Sequence, residues 1–177
     1  AIGQDSLTAL TSGAGNTIVG YTAGNQITTG VKNTAVGYES LGTSAAAVIT
    51  GGSNACFGYR AGYDLQGAAG DNTIIGSEAG FALTTGSKNV AIGQGSLYAS
   101  TDCDKVIAIG WGAMFSGNVA SGADKSIGIG AFALEDLTSG AGNVAVGYIA
   151  GANVTTGASN TLIGYSAGMV SGTAYGL

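Results

Sequence analysis

A glycine that returns at a nearly fixed interval constrains this sequence more than any other feature. In each repeat, a small or aliphatic residue and then an aliphatic or aromatic one precede this glycine. It occupies positions 3, 20, 37, 58, 76, 93, 110, 130, 147 and 164. Six of the nine intervals equal 17 residues. Such a period indicates a stacked repeat architecture, and we expect the longer intervals to hold loop insertions, at 45–47 and around Asn118.

Three other positions recur with the repeated glycine. The residue before it is always apolar, so we expect this column to form the core stripe. Two positions earlier the residue is mostly β-branched, as at Thr17, Val90 and Ile127, which indicates a strand. The third residue after the glycine is always serine or alanine. We expect close backbone approach at that column.

The unit length sets the shape of each repeat. Seventeen extended residues span at most about 56 Å, which closes a flattened loop of two short strands and two turns. Frequent glycines disfavour the helical alternative, at about 1 kcal/mol each in a helix interior. We therefore predict an all-β parallel β-solenoid of about ten 17-residue coils in a single domain, 1–177. Because the chain opens and closes inside repeats, we expect a fragment of a longer fibrous protein.

Composition excludes several functions. The chain has 34 glycines, no proline, no histidine and a net charge of −5 with five basic residues. So few cations disfavour nucleic acid as a partner, and the apolar runs are too short for membrane insertion. Without histidine there is no Ser-His-Asp arrangement. We expect no enzyme activity, no cofactor and no metal, since Asp102 and Asp104 lack the remaining oxygen ligands of a calcium loop.

The units resemble repeats found in surface fibres. Residues 89–96 (NVAIGQGS) and 1–6 (AIGQDS) resemble the head repeats of trimeric autotransporter adhesins. Residues 33–41 (NTAVGYESL) resemble glycine-rich repeats of phage tail fibres and related bacterial surface proteins. This resemblance implies a left-handed parallel β-roll that assembles as a homotrimer and serves adhesion or host attachment. The 17-residue unit is longer than the adhesin heads favour, so the tail-fibre form fits better.

The resemblance also implies where the protein works and what it contacts. We expect an extracellular segment, on a virion tail fibre or a bacterial surface, with a host or cell-surface glycan or protein as its partner. A coil this narrow buries little surface per residue. Packing of the serine and alanine column between protomers would supply further burial, which also favours a homotrimer.

Two further columns are candidates for a function. Aromatic residues follow the glycine in six units, and stacked rings along a rod could bind sugar faces; packing at the coil edge or between protomers is the structural alternative. These carbohydrate-binding candidates are Tyr21, Tyr38, Tyr59, Trp111, Tyr148 and Tyr165. Seven units carry asparagine before the strand, at 16, 33, 54, 72, 89, 143 and 160. We expect these amides to form a structural hydrogen-bond ladder.

The alternative function is a carbohydrate-degrading fibre domain of the depolymerase type. Such an enzyme needs two carboxylates that converge across a cleft. The neighbouring carboxylates, Asp102 with Asp104 and Glu135 with Asp136, each lie in one loop. They do not by themselves make such a cleft.

Two predictions test the alignment of the repeats. Cys56 and Cys103 fall at least two coil rises apart, about 10 Å, beyond the reach of a disulfide. Arg60 falls between Glu39 and Glu78 in one column, so the three charges should form an alternating ladder.

Overall fold

The structure is a computed structural model that describes residues 1–42, 47–116, 119 and 123–168. These residues form one parallel sheet in which nine strands pair in sequence order. The strands are β1 (Thr17–Val19), β2 (Thr34–Val36), β3 (Ala55–Phe57), β4 (Thr73–Ile75), β5 (Val90–Ile92), β6 (Ile107–Ile109), β7 (Ile127–Ile129), β8 (Val144–Val146) and β9 (Thr161–Ile163). The predicted all-β parallel β-solenoid is confirmed.

The strands pair in the register that the repeated glycine predicts. Ile18 lies opposite Ala35, and Ala35 lies opposite Cys56 across the longest interval. Ile2 joins the ladder through a parallel bridge to Val19. Residues 45, 46 and 118, where we predicted loop insertions, lie outside the described residues.

Each coil contains one strand, so the predicted second strand is wrong. The chain instead turns after the glycine because the second and fourth residues that follow it adopt left-handed backbone conformations. Glu39 and Leu41, for example, have φ of 53° and 50°. Left-handed residues cannot continue an extended strand. On this side of the coil, the described residues pair only through isolated bridges, from Ile27 to Ile49 and from Ile49 to Gly67.

The core runs along the middle residue of each strand, so the predicted core stripe is wrong. Ile18, Ala35 and Ile74 are fully or almost fully buried. The residue before the glycine points outward instead, and Ile75 is 40% exposed. The two positions are adjacent in a strand and therefore face opposite sides of the sheet. In six of the nine strands, the outward residue before the glycine is larger than the middle residue that faces the core.

Inside the coil, the middle strand residue packs against the fourth residue after the glycine. Where one of the two is large, the other is small. Ile74 pairs with Gly80, whereas Ala91 pairs with Leu97 in the next coil. A Cβ built on Gly80 would lie 3.2 Å from Cδ1 of Ile74. The two side chains together therefore have a similar volume in most coils, and the coil of Ala145, where both residues are small, is an exception.

The serine and alanine column lies inside the coil, which corrects its expected place between protomers. Ala23, Ser40 and Ala61 are all 0% exposed. The backbone N–H of this column closes a turn, as when Ala23 donates to the carbonyl of Gly20 at 3.4 Å. The residues of this column are therefore small because they lie in a tight turn inside their own chain.

Candidate functional site

The aromatic column that follows the glycine lies on the surface. Tyr21, Tyr38 and Tyr59 are 42–46% exposed, and Trp111 is 57% exposed. Tyr148 and Tyr165, at the far end of the described sheet, are also exposed. Each ring follows a strand directly, so its position along the rod is set by the sheet register.

Most of these rings stack on one another. The ring centroids of Tyr21 and Tyr38 are 5.1 Å apart, and those of Tyr38 and Tyr59 are 5.6 Å apart, with nearly parallel planes. Tyr148 and Tyr165 stack in the same way at 5.4 Å. Neighbouring rings therefore cover the inner faces of each stack. A sugar approaching the side of a stack would meet ring edges and hydroxyl groups.

A second aromatic ladder lies beside the first, and the sequence analysis missed it. Its rings are the fifth residues after the glycine in four consecutive coils, with centroids 5.0–5.2 Å apart. These residues are Tyr63, Phe81, Tyr98 and Phe115. The sequence signal was an aromatic residue at the same offset in four successive units.

Arg60 lies between the two aromatic ladders. Its Nε donates to Oε2 of Glu39 at 2.6 Å, and its guanidinium lies 5.1 Å and 5.2 Å from the ring centroids of Tyr59 and Tyr63. The hydrogen bond to Glu39 raises the pKa of Arg60. This contact confirms the predicted register. In the part of the chain that the structure describes, Arg60 forms no ion pair with Glu78. The predicted charge ladder therefore has one of its two ion pairs.

Trp111 differs from the tyrosines because no aromatic ring of its own column stacks on it. The neighbouring coils place Gln94 and Ala131 in that column. Phe132 contacts the indole edge-on, with centroids 4.5 Å apart and planes at 62°. A cleft of about 340 Å³ opens here, lined by Glu78, Gln94, Gly95, Trp111, Gly112, Phe115, Phe132 and Glu135. This volume falls at the lower end of small-ligand pockets, which span about 300–1,000 Å³.

The asparagine column forms the predicted structural ladder. The side-chain amide of Asn54 donates to Oδ1 of Asn33 at 3.0 Å, and Asn72 donates to Oδ1 of Asn54 at 3.0 Å. The same oxygens also accept backbone N–H groups of the next coil. Five of the seven side chains are no more than 1% exposed. Because these amides are buried and paired, they are unavailable to a ligand.

Both cysteines are free and buried, which confirms the prediction that they do not pair. Desolvation raises the pKa of each thiol to about 12. A thiol that stays protonated at neutral pH is a poor nucleophile and a poor metal ligand. Among the described residues, no group of three or more histidine, cysteine, aspartate or glutamate side chains could hold a metal ion.

Comparison with known proteins identifies no family for this chain. No family model, no curated protein and no solved structure matches the chain. The described residues also contain no helix that is long and apolar enough to cross a membrane.

Proposed function

We propose that this chain is a structural segment of a homotrimeric, extracellular attachment fibre, of the phage tail-fibre or bacterial adhesin type. The observation that supports this proposal is that the outer face of the sheet is apolar. Along nine consecutive strands, the first and third residues point outward and are mostly apolar. Nine strands span eight rises of about 4.8 Å, so this strip is about 38 Å long.

The strip is most apolar between β5 and β8. The outward residues there are Val90, Ile92, Ile107, Ile109, Ile127, Ile129, Val144 and Val146. Single exposed apolar residues are ordinary, but a continuous strip of this length marks an interaction surface. Its β-branched side chains form a regular surface on which a second sheet can pack.

Copies of the same chain are the occupants that fit this surface best. The strip repeats at every coil, so a partner must present apolar side chains with the same rise over the same length. Another copy of the chain does so by construction. Three copies around one axis would cover all three strips, as the resemblance to trimeric fibres implies, and would leave the remaining coil surfaces free for a glycan or protein of the cell surface.

The alternative, a carbohydrate-degrading fibre domain, gains no support from the carboxylates. Glu78 and Glu135 line the same cleft, but their backbones lie three coil rises apart, about 14 Å along the rod. Glycosidases of both stereochemical classes hold their carboxyl groups within about 9.5 Å, a distance that Glu78 and Glu135 reach only if both side chains turn toward each other along the rod. Attachment without hydrolysis therefore remains our proposal.

The trimer is tested by placing a charge on the apolar strip. We expect wild-type protein to sediment as a trimer and Ile75→Glu to sediment as a monomer with an unchanged circular dichroism spectrum. Because Ile75 is already 40% exposed in the single chain, a glutamate there stays hydrated in the monomer and would lose its water only in the assembly. The control is Thr85→Glu, which adds the same charge at an exposed turn and should leave the trimer intact. A folded wild-type monomer would contradict the proposal.

Attachment is tested by adsorption to cells. Fluorescently labelled trimer should be retained on bacterial or host cells of the right type, and excess unlabelled protein should compete. Incubation with the isolated cell-surface polysaccharide should release no new reducing ends. Sustained release would favour the depolymerase alternative.

A further inference from the structure

Two glycines open the cleft beside Trp111. The second residue after the repeated glycine carries a side chain in eight of the ten units, but it is Gly95 and Gly112 in two neighbouring ones. Their φ values, 63° and 61°, match the left-handed values of Glu78 and Phe132 at the same position. The backbone conformation therefore does not require glycine here. What the two glycines provide is space.

The surrounding side chains use that space. A Cβ at Gly95 would lie 2.9 Å from Cε2 of Phe115, and a Cβ at Gly112 would lie 2.7 Å from Cε1 of Phe132. Both phenylalanine rings thus lie close over glycine backbone, beside the exposed indole of Trp111. The result is an aromatic cleft with a backbone floor.

The charges around this cleft have one sign. Glu78 and Glu135 line it, and it has no lysine or arginine in its lining. Within the described residues, the only salt bridge is between Arg60 and Glu39, so neither cleft carboxylate has a cationic partner. Aromatic faces carry negative electrostatic potential as well. Carboxylates and rings together favour a positively charged ligand over a neutral or anionic one.

We propose that the cleft binds an organic cation that carries a trimethylammonium group, either as a free small molecule or displayed on a surface. Such a group is apolar outside and positively charged, which suits aromatic rings combined with carboxylates. The indole of Trp111 contacts the methyl groups, and Glu78 and Glu135 supply the compensating charge. The site lies within one chain, so it does not depend on the proposed trimer.

Trp111 is the only tryptophan of the chain, so its fluorescence reports directly on the cleft. The probe is choline chloride, titrated into the intact protein at constant ionic strength. We expect a saturable change in tryptophan emission. The uncharged isostere 3,3-dimethylbutanol should produce no saturable change at the same concentrations. Vesicles of phosphatidylcholine, which display the same group, distinguish a surface-bound ligand from a free one.

Variants separate the cleft from the rest of the surface. Glu78→Gln should weaken choline binding about fivefold, the loss of one nearby charge at partial exposure. Trp111→Gln should abolish binding in calorimetry, while the fold survives because Gln94 occupies the same column one coil earlier. Tyr148→Gln, in that column but outside the cleft, is the control and should bind as wild type. Failure of the folded protein to bind choline, or equal binding of the neutral isostere, would overturn the proposal.

Discussion

At the residue scale, the repeated glycine is required by stacking as well as by backbone conformation. Gly93 has φ of 126°, a region open to glycine alone. A Cβ on it would also lie 2.6 Å from the carbonyl oxygen of Gly110 in the next coil. Even alanine would therefore force neighbouring coils apart. This explains why the sequence holds glycine at this position in every unit.

Three glycine-to-alanine variants separate the two effects. Gly164 has nearly the same φ, 128°, but no described atom lies within 4 Å of its added Cβ. We expect Gly164→Ala to lower the free energy of unfolding by about 1–3 kcal/mol from backbone strain. Gly93→Ala should cost more, because the contact with Gly110 adds to the same strain. Urea denaturation measures both.

Gly142→Ala controls for position along the rod. Gly142 lies within the stack, has φ of 70°, and its added Cβ would be 3.8 Å from the nearest atom, Oγ of Ser159. Lys88 and Lys105 adopt similar angles at the same column, so this change should cost about 1 kcal/mol. Equal losses for Gly93→Ala and Gly142→Ala would show that the coils do not pack as described.

At the element scale, the interior of the coil is specified by pairs of residues rather than by one column. Ile74 with Gly80 and Ala91 with Leu97 fill the same space from opposite sides. Leu97 and Gly80 have the same φ, 55°. Because the backbone is equivalent, the large residue can occupy either side.

A swap between the two sides tests this complementarity. We expect Ile74→Ala alone to cost about 2–5 kcal/mol, since it leaves a cavity in the core. Gly80→Leu alone should cost about 1–3 kcal/mol through overpacking against Ile74. The double variant, which reproduces the Ala91 and Leu97 arrangement, should recover most of the stability. A double variant that is as unstable as the sum of the two singles would contradict the pairing.

The register of the elements was predictable from the sequence, but the direction of their side chains was not. Glycine spacing aligned every strand, because a single glycine position is fixed by contact with the next coil. The core was assigned to the wrong column because the residue before the glycine is apolar in every unit, whereas the middle strand residue is often only alanine, as at Ala35. The complementary sizes of Ile74 and Gly80 identify the interior columns correctly, but this pattern is recognised only when the two columns are compared with each other.

The candidate site shows the same limit. The tyrosine column was apparent because it adjoins the repeated glycine. The second aromatic ladder and the cleft were missed because they depend on which columns lie side by side across the turn. Gly95 and Gly112 look like ordinary turn glycines until Glu78 and Phe132 are seen with the same backbone angles.

At the scale of the whole molecule, the rod is a one-dimensional stack in which each coil contacts mainly its neighbours. The coil from 93 to 109 has 17 residues, and its removal joins Ile92 directly to Gly110. The columns on either side of that junction stay aligned, and Ala91 then pairs with Met114, again a small interior residue with a large one. The stability of the rod should therefore change little when one whole coil is removed in register, and fall sharply when the register is broken.

Two deletions that differ by one residue test this view of the molecule. Deletion of residues 93–109 should leave the circular dichroism spectrum unchanged in shape, with a modest loss of melting temperature from one missing coil. Deletion of residues 93–108 retains an extra residue, Ile109, before Gly110 and shifts one strand by a single position. Such a shift moves outward side chains into the core, so this variant should melt far lower despite being one residue longer. Similar melting temperatures for the two variants would show that the chain tolerates register slips and that the columns do not hold the coils together.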